Sequence, residues 1–338
     1  MHMSDALVST AVGTTMAVVS AGSVGYSIKK IQAADLSDGR IPMMGVMGAF
    51  VFAAQMINFT IPGTGSSGHI GGGILLAALL GPYPAFLTIT SVLIIQALFF
   101  ADGGLLALGC NIFNMGFLTC FVAYPLIYRL VLKKSITPKR ISFAALFAVI
   151  AGLQLGAFAV VMETTVSGIT ELPFTAFVLP MQLIHLAIGL VEGIITGAVL
   201  CFVYRTRREI IKDALDKAAP RKSPVKRVIL LSFVAGAVLI GGFFSYFASA
   251  KPDGLEWAIQ GIAGEEGLAN TSAAHTGAQK LQSKTAVLPD YAFEGKAKDN
   301  KLGTGVSGLV GGLVTLSVTI AAGVIVVSCK RLKPKKLS

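Results

Sequence analysis

The chain has 338 residues, of which 54% are hydrophobic and only 13% are charged, and its mean hydropathy is +0.75. A soluble domain carries about twice that proportion of charged residues, so the composition excludes an ordinary soluble enzyme and indicates an integral membrane protein. The net charge of +11 does not indicate a nucleic-acid partner, because most basic residues lie in four clusters that each adjoin an apolar run. These clusters, which are typical of cytoplasmic loops, are 29–40, 129–140, 205–227 and 330–336.

The apolar runs predict an all-α membrane protein with nine spans. The run 69–81 is short for a span, about 20 Å at 1.5 Å per residue. It is still needed, because the basic clusters at 29–40 and 129–140 both lie inside only if an even number of spans separates them. The N-terminus is then outside and the C-terminus inside. The predicted spans are 5–28, 43–60, 69–81, 84–101, 105–128, 141–162, 181–204, 227–249 and 306–329.

The basic stretch 206–226 divides the chain into a seven-span module, 1–205, and a two-span module, 227–338. Between the last two spans, 250–305 is polar and is expected to form a small extracellular domain or ordered loop. The four cysteines show no C-x-x-C spacing, which argues against a disulfide framework or a zinc site. The N-terminal segment has no basic n-region and no clear cleavage site, so we expect it to remain uncleaved.

Two of the four histidines, His2 and His69, fall on the same outer side in this topology. Met1 is expected to be retained, because its removal requires a small second residue. The Met1 amine, the His2 amide nitrogen and the His2 imidazole can then form adjacent chelate rings around a metal ion, and His69 can complete a square plane. Tetragonal nitrogen sites suit Ni(II) and Cu(II) rather than Zn(II). The alternatives are a disordered terminus for His2 and a loop-capping side chain for His69.

His69 follows a glycine-rich stretch, PGTGSSGH, at 62–69. Its glycines match the letters of a dinucleotide-binding fingerprint, but they join two membrane spans and lack the βαβ context that the fingerprint requires. Glycines at the entrance of a span are expected instead to let backbones approach closely or to let the loop fold inward.

Other polar groups lie within the apolar runs. His185 and Glu192 are seven residues apart on one predicted helix face, and they are interpreted as a structural hydrogen-bonded pair, with a proton relay or a coupling contact as alternatives. We place His185 away from the outer site, and we expect His275 to be solvated in the external loop. Three amides can orient a metal-bound imidazole from outside its ligand shell or link helices: Gln96, Asn111 and Asn114.

Three segments resemble the CbiM/NikM family, the substrate-binding S components of energy-coupling-factor transporters for cobalt and nickel. They are the N-terminal MHM, the stretch 58–73 that contains PGTGSSGH, and the sequence GCNIFNMG at 109–116. The resemblance covers roughly residues 1–205. In the second module, PDGLE at 252–256 resembles the small NikN-type component, fused here to the first module as in NikMN proteins.

This resemblance implies seven helices in the first module and a square-planar nitrogen site formed by Met1, His2 and His69. It implies Ni(II) or Co(II) as the transported substrate, no organic cofactor, and a multi-pass location in the cell membrane of a prokaryote. The implied partners are a membrane scaffold, the T component, and cytoplasmic ABC-type ATPases. The chain is accordingly expected to be a transport subunit rather than an enzyme, since its sequence contains no G-x-x-x-x-G-K-[ST] phosphate loop.

Two other readings remain open at this point. One is a self-sufficient, proton-coupled secondary metal transporter that uses His185 and Glu192 as a relay. The other is a membrane enzyme or sensor in which His2 and His69 bind a metal ion only for structure.

Overall fold

The computed structural model describes residues 1–34, 40–215, 227–264, 272–293 and 301–331. In these ranges the chain is helical apart from loops and one short antiparallel pair, β1 (Phe59–Thr60) and β2 (Ser67–Gly68). The helices are α1 (Thr10–Ala33), α2 (Arg40–Gln55), α3 (Gly73–Leu80), α4 (Pro82–Phe99), α5 (Leu108–Lys133), α6 (Pro138–Ser167), α7 (Phe174–Thr206), α8 (Arg208–Leu215), α9 (Arg227–Phe247), α10 (Gly254–Ala263), α11 (Ala273–Thr285) and α12 (Lys301–Arg331).

The ends of the long helix α6 follow from its local sequence. The Thr137 side chain accepts a hydrogen bond from Arg140 N at 3.3 Å, and Pro138 occupies the first turn. At the other end Gly168 adopts a left-handed conformation, with φ of +61°. An N-cap threonine, an N1 proline and a C-terminal glycine are strong signals for the start and end of a helix. They define a helix of 30 residues, which is long enough to cross a bilayer.

The predicted fold class is confirmed. Seven helices in the described part of the chain are long and apolar enough to cross a membrane. The remaining two of the nine predicted spans are α2, with 16 residues, and α3, with 8. Large apolar side chains such as Phe147, Leu183 and Ile194 point outward from α6 and α7, as lipid-facing residues do in a protein that spans a bilayer.

The short third run forms a loop and a helix rather than one continuous span. Residues 69–72 are not helical, and α3 begins at Gly73 against the middle of α5, where a Cβ would lie 2.3 Å from Thr119 Oγ1. The other end of α3 contacts α8. Helix α8 also contacts the start of α2, because Arg40 donates to Asp213 O at 3.4 Å. The loop and α3 together therefore carry the chain from one end of the bundle to the other, as the predicted parity requires.

The second module packs directly against the first. Helices α9 and α12 approach so closely that a Cβ on Gly308 would lie 2.4 Å from Gly241 O, which is the small-residue packing typical of membrane helices. Helix α12 also packs along α2, where a Cβ on Gly45 would lie 2.5 Å from Ile320 Cγ1. Of the predicted linker 206–226, the structure shows α8, and 216–226 lies outside the described residues.

The polar stretch 250–305 contributes α10, α11 and a short turn at Pro289–Tyr291, which cover one end of the bundle. Gln282 Nε2 donates to Gly103 O at 2.7 Å. The expectation that His275 is solvated is wrong: its side chain is only 5% exposed. Its Nε2 lies 2.9 Å from Val8 O, because α11 packs on the segment that precedes α1.

The arrangement of the helices predicts which residues are accessible from each side of the membrane. Ser135 and Lys280 are both exposed and lie at opposite ends of the bundle. In a background with Cys329 replaced by serine, Ser135→Cys is expected to react with an impermeant maleimide only after the cytoplasmic side is opened, and Lys280→Cys in intact cells. Labelling of both positions from the same side would contradict the nine-span topology.

Candidate metal centre

The N-terminal residues are inserted into the bundle. Met3 has no exposed side-chain surface, and its backbone forms a two-way pair with the Asn111 amide: Met3 N donates to Asn111 Oδ1 at 2.8 Å, and Asn111 Nδ2 donates to Met3 O at 3.1 Å. Gly104 N donates to the same Met3 carbonyl at 2.8 Å. Three hydrogen bonds therefore fix the backbone directly after His2, and a disordered terminus is not what the structure shows.

The Met1 amine lies against the second module. Its nitrogen is 3.1 Å from Asp253 Oδ2, while the other carboxylate oxygen, Oδ1, caps α10 by accepting from Leu255 N at 2.9 Å and Glu256 N at 2.8 Å. Burial opposes ionisation of this carboxyl group, but the Met1 ammonium and the Glu256 backbone N–H hold the pKa of Asp253 well below its usual range. One side chain thus starts a helix of the second module and holds the terminus of the first.

The His2 ring lies between two acceptors. Its Nε2 is 3.2 Å from Gln96 Oε1, and its Nδ1 is 3.3 Å from Asp102 Oδ1. A neutral imidazole can donate to only one of these groups, which leaves the other ring nitrogen with a lone pair. Desolvation lowers the pKa of His2 below its ordinary value, and Asp102 only partly opposes this shift. The ring is therefore kept in a form that can bind a metal ion.

Gln96 links His2 to the loop that carries His69. Gln96 Nε2 donates to Gln55 Oε1 at 2.7 Å, and Gln55 Nε2 donates to Gly71 O at 2.8 Å. The chain of amides connects α4, α2 and the glycine-rich loop. The two glutamines therefore set the position of the loop relative to the N-terminus.

The His69 ring stacks on the His2 ring, with centroids 5.1 Å apart and planes inclined by 19°. His69 Nδ1 lies 3.1 Å from Ile70 O, and since a carbonyl only accepts, Nδ1 carries the proton and Nε2 has the lone pair. Desolvation, the Met1 ammonium and the His2 ring lower the pKa of His69 to about 4. Near neutral pH the imidazole is thus uncharged, as a metal ligand must be.

Glu192 fixes the backbone of the glycine-rich loop. Its carboxylate accepts hydrogen bonds from Gly71 N at 2.7 Å and Gly72 N at 2.9 Å, and Gly72 has a φ of +75°. Gly68 lies on α7 so closely that a Cβ would be 2.5 Å from Ile188 Cγ1. The glycines thus allow close backbone approach, which is the role predicted for them.

The structure brings together four of the predicted residues and separates others. Met1, His2, His69 and Gln96 meet at one end of the bundle, and Asn111 fixes the backbone beside them. Asn114, by contrast, donates to Glu163 Oε2 at 2.7 Å and touches the N-terminal segment only through Met3 Sδ at 3.7 Å.

The expected hydrogen bond between His185 and Glu192 is wrong. His185 Nδ1 lies 2.7 Å from Met181 O, and Glu192 holds the glycine loop instead. The placement of His185 away from the outer site is also wrong, because His185 lines a small cavity together with Met1, His69 and Asp253. A seven-residue spacing gives one helix face, but it does not show what packs between the two side chains.

Sequence reasoning missed three contributors: Asp253, Asp102 and Gln55. The PDGLE sequence indicates a family, but it does not predict that its aspartate contacts the N-terminus. Asp102 is further held by a hydrogen bond from the Tyr291 hydroxyl, so a second residue of the two-span module supports the site. Acidic residues in outer loops of a protein with a candidate cation site are the one signal that was available.

The site offers nitrogen donors rather than a cluster of side chains. Among the described residues, no group of three or more His, Cys, Asp or Glu is arranged to hold a metal ion. What converges is the terminal amine, the His2 backbone and ring, and the His69 ring. An open cavity lined by His2, His69, Asp102 and Asp253 leads to them.

Removing Glu192 should destabilise the glycine loop. Glu192→Ala leaves two buried backbone N–H groups without an acceptor and is expected to cost about 2–4 kcal/mol of unfolding free energy. Glu192→Gln keeps one acceptor oxygen and should cost about half as much. Denaturation in detergent measures both, with the exposed Glu171→Gln as the control. An alanine variant as stable as the parent would show that the carboxylate does not hold the loop.

Comparison with known proteins agrees with the two modules. Residues 2–210 match the family model "cobalt uptake substrate-specific transmembrane region", CbiM, and residues 227–328 match the PDGLE domain. A putative fused nickel transport protein NikMN of Archaeoglobus fulgidus is 32% identical over 95% of this chain and 97% of its own length. The fused nickel transport protein NikMN of Rhodobacter capsulatus is 30% identical over 96% of this chain and 97% of its own.

A similar solved structure covers part of the chain. It is the crystal structure of a transition metal transporter, 32% identical, which aligns with a TM-score of 0.53 over 61% of this chain and 93% of that one. Both the sequence matches along the whole chain and this structural match agree with the resemblance found from the motifs. The chain therefore belongs to the CbiM family of nickel and cobalt transport proteins, in the form fused to a PDGLE domain.

Proposed function

We propose that this chain captures Ni(II) or Co(II) at the outer face of the membrane, as the substrate-binding subunit of an ATP-driven transporter of the energy-coupling-factor type. The observation that supports this most directly is the convergence of the Met1 amine, the His2 ring and the His69 ring at one end of the bundle. No other group of donors in the described part of the chain combines an N-terminal amine with two imidazoles.

The donor set fits a square-planar ion. The Met1 amine, the His2 amide nitrogen and the His2 Nδ1 form two fused chelate rings, and His69 Nε2 supplies the fourth nitrogen. Strong nitrogen donors in one plane favour Ni(II) over Zn(II), which prefers a tetrahedron. Binding requires the amine and the amide to lose a proton to the solvent, so the metal competes with protons at this site.

Asp253 supports the proposed amine ligand. An amine that binds a metal ion through its lone pair keeps two N–H groups, and one of them can still donate to the Asp253 carboxylate. Hydrogen bonds of this kind, from a ligand to a group outside the ligand shell, orient the ligand and raise its basicity. The contact at 3.1 Å therefore serves the bound state as well as the ion pair seen here.

The surrounding charges also suit a divalent cation. A divalent ion with one deprotonated amide leaves a net charge of one, and two carboxylates, Asp253 and Asp102, lie next to the donors. Unpaired charge is costly away from bulk water. Loading adds two positive charges and releases two protons, one from the Met1 ammonium and one from the His2 amide, so the summed charge of the donors, Asp253 and Asp102 stays the same when a divalent ion binds.

Nickel is the favoured substrate. Two relatives that match almost the whole chain are named as nickel transport proteins, one of them as a putative one. A cobalt transport protein CbiM of Sorangium cellulosum matches 52% of the chain. Since the full-length matches include the PDGLE module, the fused architecture of this chain supports nickel over cobalt.

Partner proteins are expected to supply the energy for uptake. The sequence has no phosphate-binding loop, so ATP hydrolysis falls to cytoplasmic ATPases that act through a membrane scaffold subunit. A self-sufficient proton-coupled carrier is the competing function, and it predicts uptake by this chain alone. Nickel uptake into proteoliposomes that requires both the partners and ATP would exclude that alternative.

Removing the fourth nitrogen should abolish capture. His69→Ala is expected to remain folded and to lose nickel affinity by more than about 100-fold, since even a group outside the ligand shell commonly contributes 10–100-fold. The measurement is metal content and titration of the purified protein with a free N-terminus.

The control for this experiment is His275→Ala, which removes a buried histidine of α11 that contacts Val8 O rather than any proposed donor and should leave nickel binding unchanged. N-terminal acetylation tests the same site without changing a side chain, and it should weaken binding because an amide replaces the amine. Wild-type nickel content in His69→Ala, or undiminished uptake with a blocked terminus, would contradict the proposed coordination.

Asp253→Asn should lower nickel affinity by roughly 10–100-fold. Asparagine keeps the oxygen that caps α10, so the helix remains, but it removes the negative charge beside the Met1 nitrogen. Isothermal titration on the full chain gives the affinity, and circular dichroism checks the fold. Glu171→Gln is the matched control, because it removes an exposed acid from the loop between α6 and α7. Equal affinities for Asp253→Asn and the parent would show that the acid does not support the amine.

A further inference from the structure

His185 is a buried imidazole that the square-planar site does not use. It lies on α7 with 1% of its surface exposed. Its Nδ1 lies 2.7 Å from Met181 O, and since the carbonyl only accepts, Nδ1 carries the proton. The other ring nitrogen, Nε2, therefore has a lone pair and no hydrogen.

That lone pair has no hydrogen-bond partner among the described residues. A buried acceptor without a partner is uncommon and unfavourable. The ring lines the small cavity that is also lined by Met1, His69 and Asp253. The cavity is roughly large enough for one water molecule or one ion. An unpaired nitrogen at a space of this size, next to a proposed metal ligand, is explained if an ion occupies the space during transport.

The geometry of the ring is that of a metal ligand. A histidine that binds a metal usually donates its other ring N–H to a carbonyl or a carboxylate, and Met181 O fulfils this role for His185. The cavity is closed from the second module by Gly254, where a Cβ would lie 3.0 Å from Ile184 Cγ2 and 3.4 Å from His185 Cε1. A side chain at this position would crowd Ile184 and touch the imidazole, so the glycine lets the PDGLE segment lie close over the cavity.

His185 belongs to a different part of the fold from the other donors. Met1, His2 and Asp102 belong to the terminal segment and an outer loop, whereas His185 belongs to the span α7. The His69 ring stacks on His2 and also lines the cavity that His185 shares with Met1. An ion that keeps His69 and exchanges the terminal nitrogens for His185 has moved from the terminal segment to the span α7.

We propose that His185 Nε2 and His69 Nε2 form a second, weaker binding station for the transported ion, directly inward of the square-planar site. The proposal rests on the proposed function, since it takes His69 as a ligand. Two imidazoles bind the ion less tightly than four nitrogens with two chelate rings. A weaker inner station provides a step by which a tightly held ion leaves the outer site.

The test uses the full chain in lipid nanodiscs with the outer donors removed. An uncleaved N-terminal extension together with His2→Ala disables the terminal chelate. This background is expected to bind one Co(II) or Ni(II) with affinity reduced by more than about 100-fold and with a visible spectrum distinct from that of the parent. Adding His185→Ala should weaken the residual binding at least a further tenfold and remove that spectrum.

The matched control is His275→Ala in the same background, which should leave the residual binding unchanged. Should His185→Ala fail to fold, His185→Gln fills a similar volume and gives the same comparison. Absence of residual binding, or residual binding that survives both His185 variants, overturns the proposal.

The same proteins separate this proposal from the proposed function. With a free N-terminus and intact His2, His185→Ala should keep nickel affinity within about threefold of the parent, while uptake with the partner subunits falls at least tenfold. Parent protein that binds no nickel refutes the proposed function itself. If His185→Ala takes up nickel as well as the parent does, while His69→Ala loses nickel as expected, only the inner station is refuted.

Discussion

The contact between the Met1 amine and Asp253 determines how the rest of the site is arranged. It places the terminal amine at a defined point beside His69, while the Met1 side chain is buried in the bundle next to Gly156. The carboxylate that does this is itself fixed, because its second oxygen caps α10. In turn α10 packs on α7, where Gly254 lies against Ile184 and Ile188. The position of the terminal nitrogen therefore depends on α7, a membrane helix that is distant in sequence.

The remaining donors are positioned by hydrogen bonds of two glutamines and one glutamate that lie on three helices. Gln96 and Gln55 connect His2 to the glycine loop, and Glu192 fixes the loop from α7. These contacts join the N-terminal segment and the glycine-rich loop to three different helices, α2, α4 and α7. A small shift of α7 relative to α2 and α4 would therefore move His69 away from His2, and the site can be taken apart by helix motion without any donor being replaced.

Much of this architecture could be predicted from the sequence, and the reasons are physical. The spans followed from apolar runs of bilayer length, and the parity of the basic clusters retained the short run 69–81. That run proved to be a loop joined to the eight-residue α3, a distinction that hydropathy does not make because both parts are apolar. His2 and His69 were paired correctly through topology, since a shared side of the membrane is a strong constraint in a protein with only four histidines.

What the sequence could not supply were contacts between modules and the choice of partners within a helix face. Asp253 lies 252 residues from Met1, and no local pattern encodes that approach. His185 and Glu192 share a face of α7, yet the glycine loop inserts beside Glu192 and the PDGLE segment lies beside His185. Similarly, His275 is polar by type and lies in a polar stretch, but it is buried because α11 lies on Val8.

Because the two modules form one polypeptide, the site can be complete at any concentration of the protein. If the PDGLE module were a separate polypeptide, Asp253 would reach the amine only when two proteins met in the bilayer, and the fraction of complete sites would vary with their expression. A tether between binding modules sets a local concentration in the millimolar range for short flexible linkers. In the fused chain, every copy therefore carries its own acid for its own terminus, and the proportion of complete sites is independent of how many copies the cell makes.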